Sequence, residues 1–291
     1  MSRLTRQLLL AFLFLLPCSP VQAEESEKAW RVVLARDVHA DYQRFIKGRD
    51  PLTLKSFDGP YSRRDVVEVV LLQQALQRGG ATRPLRFLLT DSESRTLKVL
   101  IGGDADISGA SSWKIDIALN AGTLRASHAV IREGEFMAGL YFPEQHPALH
   151  TLTKKPQDIR RYTAVCAESW KPDIATLKKL GSPILLTDNW ESMLGMLKKQ
   201  RGDYLLAPFQ PTADFRLAAG GIVLKPVPGL KVGLSGSRHF VIARKTKDAA
   251  TLEQALNRGL HILEKEGVLR RAYRESGFEH ADLQQWRTLK P

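Results

Sequence analysis

Ser92–Lys114, SESRTLKVLIGGDADISGASSWK, is the stretch from which the fold is read. Ser92 or Ser94 can cap a short helix running to Ile101. Leu97, Leu100 and Ile101 give that helix the i, i+3, i+4 spacing of a buried stripe, and Gly102-Gly103 stops it. Asp104–Ile107 follows as a short strand, and Ser108-Gly109-Ala110-Ser111-Ser112 opens from its end. A strand whose carboxyl end runs into Gly and Ser leaves backbone N–H groups free to meet a ligand. Trp113 would then supply a flat wall and Lys114 a charge. Taken alone, the stretch reads first as a helix–strand turn whose glycines serve tight packing.

Outward from this stretch the same alternation continues. Trp30–Ala35 reads as a first strand, residues 37–60 as a long polar connection, Tyr61–Arg78 as a helix and Leu85–Leu89 as a strand. Strand, helix, strand, helix, strand implies a parallel sheet with helices on its faces. Extended segments follow at 126–131 and 136–142, then a loop over 143–156. A second alternation comes next: strand 162–166, helix 172–180, strand 184–187, a helix introduced by Asp188 and Glu191, strand 203–207 and helix 211–219. Residues 222–227 and 239–243 read as extended, and helices over 252–263 and 268–276 close the chain. The second α/β unit is inserted in the first, because the last strand and helices are too few for a third domain.

Residues 1–23 have the form of a secretory signal. Arg3 and Arg6 precede the unbroken apolar run Leu8–Leu16, too short for a membrane anchor, and Val21-Gln22-Ala23 offers small residues for cleavage after Ala23. Leu15-Leu16-Pro17-Cys18 is a poor lipidation box, because proline stands where a small residue belongs. Cleavage leaves Cys166 as the single cysteine, so stability must come from burial rather than a disulfide. It removes two arginines and no acid from a net charge of +12. A basic surface favours anionic partners. There is no run of five or six Lys/Arg and no aromatic-interleaved basic patch, which argues against nucleic acid as the partner. No G-x-S-x-G, H-E-x-x-H or P-loop motif is present.

The pattern resembles the type II periplasmic solute-binding proteins, the class related to the amino-acid-binding components of ABC transporters. The resemblance rests on the export signal, DVVEVVLLQQAL (65–76), SRTLKVLIGGDADIS (94–108), AVCAESWKPDIATLKKLG (164–181), NWESMLGMLKKQRGDYLLAP (189–208) and SGSRHFVIARK (235–245). It implies a two-lobed α/β fold in which residues 24–131 and 232–291 form the first lobe and 132–231 the second. It also implies an exported periplasmic protein that closes on a small solute for a membrane transporter or sensor. A monomer with no cofactor, no metal and no catalytic residues is expected; the alternative is a dehydratase- or lyase-like periplasmic enzyme on the same fold. Amino-acid binders of the class carry an arginine after a Ser/Thr patch for the ligand carboxylate. Here Ser111-Ser112-Trp113 is followed by Lys114, a point charge without the arginine fork, and no acid for a ligand ammonium stands out.

The expected site lies between the lobes, beside the carboxyl ends of strands. Trp113 and Lys114 from one lobe and Trp170 and Lys171 from the other are expected to face it, with Arg95 at the start of its helix. Tyr61 before the first-lobe helix and Phe209 after Pro208 are further candidates. Each has a plainer reading: Trp170 as a hinge cover, Phe209 as packing, and Tyr61 and Arg95 as solvated surface. Trp190 reads as core, His146 and His150 as a surface loop rather than metal ligands, and Cys166 as a small buried apolar residue. The solute is expected to be anionic or aromatic, stacked on tryptophan and neutralised by lysine or arginine. N-terminal sequencing of the exported protein should begin at Glu24; retention of Met1, or a start at a lipidated Cys18, would contradict the cleavage reading.

Overall fold

The structure is a computed structural model and describes residues 29–81, 83–91, 93–210 and 212–290. The signal segment and Ser92 lie outside these residues. β1 (Trp30–Ala35) is followed directly by α1 (Arg36–Ile46), then α2 (Arg64–Arg78), β2 (Leu85–Thr90) and α3 (Glu93–Gly102). Short strands β3 (Ile107–Ser108) and β4 (Ser112–Trp113) lead to α4 (Lys114–Ala118) and the long β5 (Leu124–Ile131). α1 replaces the polar connection expected after residue 36. Val38, Tyr42, Phe45 and Ile46 form a buried stripe at helical spacing within that polar sequence.

The second unit contains β6 (Met137–Pro143), α5 (Ala148–Lys154), β7 (Ala164–Ala167), α6 (Lys171–Leu180), β8 (Ile184–Thr187), α7 (Trp190–Lys198) and β9 (Leu205–Pro208). It continues through β10 (Leu217–Ala219), β11 (Ile222–Pro226) and β12 (Leu230–Gly233). Three expectations are corrected here. Part of the loop expected at 143–156 is α5, which buries Ala148, Leu149 and Leu152. Where a helix is expected over 211–219, the described residues 212–219 form a turn leading into β10, which pairs with β11 as a hairpin across Gly220-Gly221. α7 is capped by Asn189, whose side chain accepts from the Ser192 amide at 2.9 Å, rather than by Asp188.

The chain returns through β13 (Arg238–Ala243), α8 (Ala249–Lys265) and α9 (Val268–Glu275), and ends in β14 (Arg287–Leu289). The first sheet has the order β2-β1-β3-β13-β4, with β5 also on β13; β1, β2 and β3 are parallel, and β13 is antiparallel to its neighbours. The second sheet has the order β10-β11-β6-β12-β14, with β9 on β6. The parallel β7–β8 pair adjoins it through a bridge from Ala164 to Tyr204. The protein is thus a two-lobed α/β molecule with its second lobe inserted in the first. β14 pairs with β12, so the end of the chain crosses back to the second sheet, a step absent from the sequence reading of the closing segment.

The two main crossings run side by side. The Gly134 amide donates to Leu234 O at 3.3 Å, and the Leu234 amide donates to Phe136 O at 2.9 Å. A Cβ on Gly233 would come within 2.5 Å of Gly134 O, so the close approach requires glycine. Elsewhere the first lobe is held by backbone-to-backbone packing of α2 on α8. A Cβ on Gly259 would sit 1.7 Å from Ala75 O, and one on Gly79 would sit 1.8 Å from Ala255 O. Gly259→Ala should therefore lower the urea unfolding free energy by about 1–3 kcal/mol, the cost of overpacking exceeding the gain in helix propensity. An unchanged or raised unfolding midpoint would contradict this packing.

Candidate functional site

A cavity of about 480 Å³ opens between the lobes. Its first-lobe wall is Ser94, Leu97, Ser112, Trp113, Asp116 and Arg238. Its second-lobe wall is Ser169, Trp170, Lys171, Asp173 and the segment Leu206–Pro208, with Ala138 beside them. Phe136 and Leu234, from the two crossings, line it as well. Most of this surface is apolar, with a few charged groups in its walls, as in small-molecule sites generally.

Arg238 is the group around which the first-lobe wall is built. It opens β13 and is 4 % exposed. Its Nε donates to Ser111 Oγ at 3.0 Å, and an Nη donates to the Ser111 carbonyl. Its guanidinium carbon lies 4.8 Å from the centre of the Trp113 ring, a cation–π contact. Behind it, the fully buried Glu68 accepts from the Ser111 amide and hydroxyl, both at 2.8 Å, from Arg64 Nη1 at 2.9 Å and from Tyr273 Oη at 3.2 Å. Burial alone would raise the Glu68 carboxyl. The charges of Arg64 and Arg238 and the Ser111 donors outweigh it and hold Glu68 below the ordinary carboxylate range. Tyr273 is pushed well up, by burial and by the Glu68 charge.

The opposite wall carries Asp173 in the first turn of α6, 8 % exposed. Burial pushes its carboxyl up to about 7, against the opposing pull of a backbone hydrogen bond and of Arg238. Trp170, which precedes α6, stacks on Trp190 with ring centres 6.0 Å apart and lines the cavity. Lys171 reaches across to the other lobe, where its Nζ lies 3.2 Å from Asp116 Oδ1.

Of the residues expected from sequence, Trp113, Trp170 and Lys171 line one cavity. Lys114, Arg95, Tyr61 and Phe209 do not. Lys114 is exposed at the start of α4, its amide bound to Ser237 O at 2.9 Å, and its charge adds to the burial that lowers His239. Arg95 is exposed on α3, whose Ser94 and Leu97 line the cavity instead. Tyr61 is 49 % exposed, with the Arg44 guanidinium 5.3 Å from its ring centre. Phe209 is buried against Phe215 and Trp286, while the preceding Pro208 meets the cavity. Sequence reasoning missed Arg238, Asp116 and Asp173. A charge at the head of the buried run HFVIA was the only signal for Arg238, and an acid in the first turn of a helix is commonplace.

The plainer readings describe other positions. Cys166 is buried, its thiol pushed up to about 12 by burial and by the charge of Asp173. Asp203 accepts from the Thr163 amide at 2.6 Å and faces His146 Nε2 at 3.4 Å. Arg63 lies against Asp37, Asp41 and Asp65, which accounts for a basic residue at the start of α2.

No protein-family model matches the chain, and a search of curated proteins finds no significant match. Among solved structures it is similar to the periplasmic VFT2 domain of BvgS from Bordetella pertussis, with 14 % identity and a TM-score of 0.54 over 89 % of this chain and 97 % of that one. A mutant of ArgBP from T. maritima gives 15 % identity and a TM-score of 0.50, over 90 % of this chain and 100 % of that one. At such identities the likeness is one of fold: the chain has the two-lobed architecture of the type II periplasmic binding proteins.

Asp173 makes stability depend on pH with a definite sign. The folded protein keeps this proton to about pH 7, whereas the unfolded chain releases it near pH 4. The folded state therefore binds more protons in that window, and stability falls as pH rises through it. Urea titrations between pH 4.5 and 7.5 should show Asp173→Asn losing about 3–4 kcal/mol less than the parent over the window. Parallel pH profiles would contradict the assignment.

Proposed function

We propose that the protein is an exported periplasmic solute-binding protein that closes on a small anionic or aromatic solute for a membrane transporter or sensor. The observation that carries this reading is the buried Arg238 guanidinium against the Trp113 ring, on one wall of an apolar cavity that has Trp170 on the other. A flat solute between the two walls would meet Trp113 and Trp170, and the Arg238 guanidinium, held on Ser111 and against Trp113, puts a positive charge beside it that favours a carboxylate or similar anion. Asp173 faces the same space. While protonated it can donate to a solute oxygen, and once ionised it can accept from a cationic group. The Lys171–Asp116 pair joins the two walls at the edge of this space. In this reading the first lobe comprises residues 24–131 together with the return from 232, and the second comprises 132–231.

A thermal-shift screen of the mature protein against aromatic and aliphatic carboxylates tests it. A true ligand at about a hundred times its Kd stabilises by roughly 2.7 kcal/mol, a readable rise in Tm. Arg238→Met should weaken such a ligand by about 10- to 100-fold, the worth of one charge-assisted contact, while Lys114→Met should leave it within a few-fold. A ligand held equally by Arg238→Met and the parent would place the anion site elsewhere. Conversion of any added compound during incubation would favour the enzyme alternative.

A further inference from the structure

At the far end of the first sheet from the cleft, β1 and β2 begin side by side. Arg31 and Arg86 are register partners on these parallel strands, so their side chains leave the same face of the sheet one strand spacing apart. Like charges so placed repel each other. Arg83 and Lys247 join them, and with Trp30 and Asp106 they line a cavity of about 320 Å³.

Asp106 in the pocket wall and Asp248 at its rim are already engaged, and Asp104 adds its charge to that of Asp106 on Arg31. Asp106 accepts from Arg31 Nη2 at 2.8 Å, from Arg31 Nε at 3.2 Å and from Thr246 Oγ1 at 3.1 Å. Asp248 accepts from Arg83 Nη2 at 2.6 Å. Arg83 is further fixed by lying 4.3 Å over the Trp30 ring. Among the described residues no acid pairs with Arg86 or Lys247, both exposed. Trp30 is 5 % exposed, and its indole Nε1 is a buried donor without an acceptor among the described residues. Surplus positive charge thus gathers at a pocket whose wall includes Trp30, and an anion with several acceptor oxygens would neutralise it.

We propose that this pocket binds a phosphate group. Two cations pinned in place and two unpaired ones suit a dianion better than a single carboxylate. The oxygens of a phosphate can meet the Arg86 guanidinium and the Lys247 ammonium from different sides, with Arg31 and Arg83 held beside them by their acids. The group could belong to a soluble phosphate or to the headgroup of an anionic lipid. The inference does not rest on the reading of the cleft.

The test uses the mature full-length chain, titrated with inorganic phosphate at constant ionic strength beside a chloride control. The Trp30 indole N–H resonance should shift saturably with phosphate alone. The exposed pair of changes Arg86→Gln and Lys247→Gln should weaken that response at least tenfold while leaving the Tm without phosphate unchanged or raised. Flotation with phosphatidylglycerol and phosphatidylcholine vesicles separates the sources. Retention on phosphatidylglycerol that the double variant loses and free phosphate displaces identifies a lipid headgroup; saturable phosphate binding without retention identifies a soluble phosphate. A phosphate response at Trp113 and Trp170 instead of Trp30, equal binding by the double variant, or no response with either probe would overturn the proposal.

Discussion

The buried carboxylate of Glu68 is the constraint on which the first lobe and its cavity wall depend. A carboxylate removed from water must be compensated by donors and opposite charge. Here the compensation comes from four separate parts of the chain: Arg64 one turn earlier on α2, the amide and hydroxyl of Ser111, Tyr273 of α9, and the charge of Arg238. Loss of one partner from such a group costs about 3–5 kcal/mol, because the remaining charge stays buried. Satisfying Glu68 therefore aligns Ser111, and Ser111 in turn accepts from Arg238 and sets the guanidinium against Trp113. The polar core and the cavity wall are one network, and the site inherits its rigidity from the burial of a charge 43 residues earlier than Ser111 in the chain.

Across the cavity the interactions are of a different strength. Lys171 and Asp116 are 41 % and 27 % exposed, and an ion pair in such surroundings is worth about 1 kcal/mol or less. The crossings beside them touch through glycine backbone and a few hydrogen bonds. The lobes are joined as well by one continuous apolar cluster, which includes Val32 and Phe240 of the first and Leu140 and Phe142 of the second, and by the pairing of β14 with β12.

Periodicity in the sequence served where one face of an element meets one core. α2, α8 and the strands β1, β2, β5 and β13 of the first sheet were legible for that reason, as was the order of strands and helices that marks an inserted second lobe; the two-residue strand β4 was not. It failed where polarity concealed a stripe. α1 carries Arg36, Asp37, His39, Asp41, Gln43 and Arg44 around four buried residues, and the whole segment read as a connection. The turn before β10 failed for the opposite reason: Phe215 is buried among aromatic rings from distant segments, a tertiary contact that a local helical pattern imitates.

The sequence by itself determined the class of the fold, the insertion of one lobe in the other, and the presence of Trp113, Trp170 and Lys171 at strand or loop ends where a cleft can form. Those features depend on local spacing, which the chain carries wherever it folds. Only the tertiary structure decided which charges face the cavity. Lys114 and Arg238 lie on opposite sides of Trp113 in the choice of cation, one adjacent in sequence and one 125 residues away, and strand pairing of β4 with β13 brings the second to the ring. Register across a sheet is set by long-range burial rather than by neighbours, so the residue next to the tryptophan in sequence is exposed and the residue beside it in space is buried.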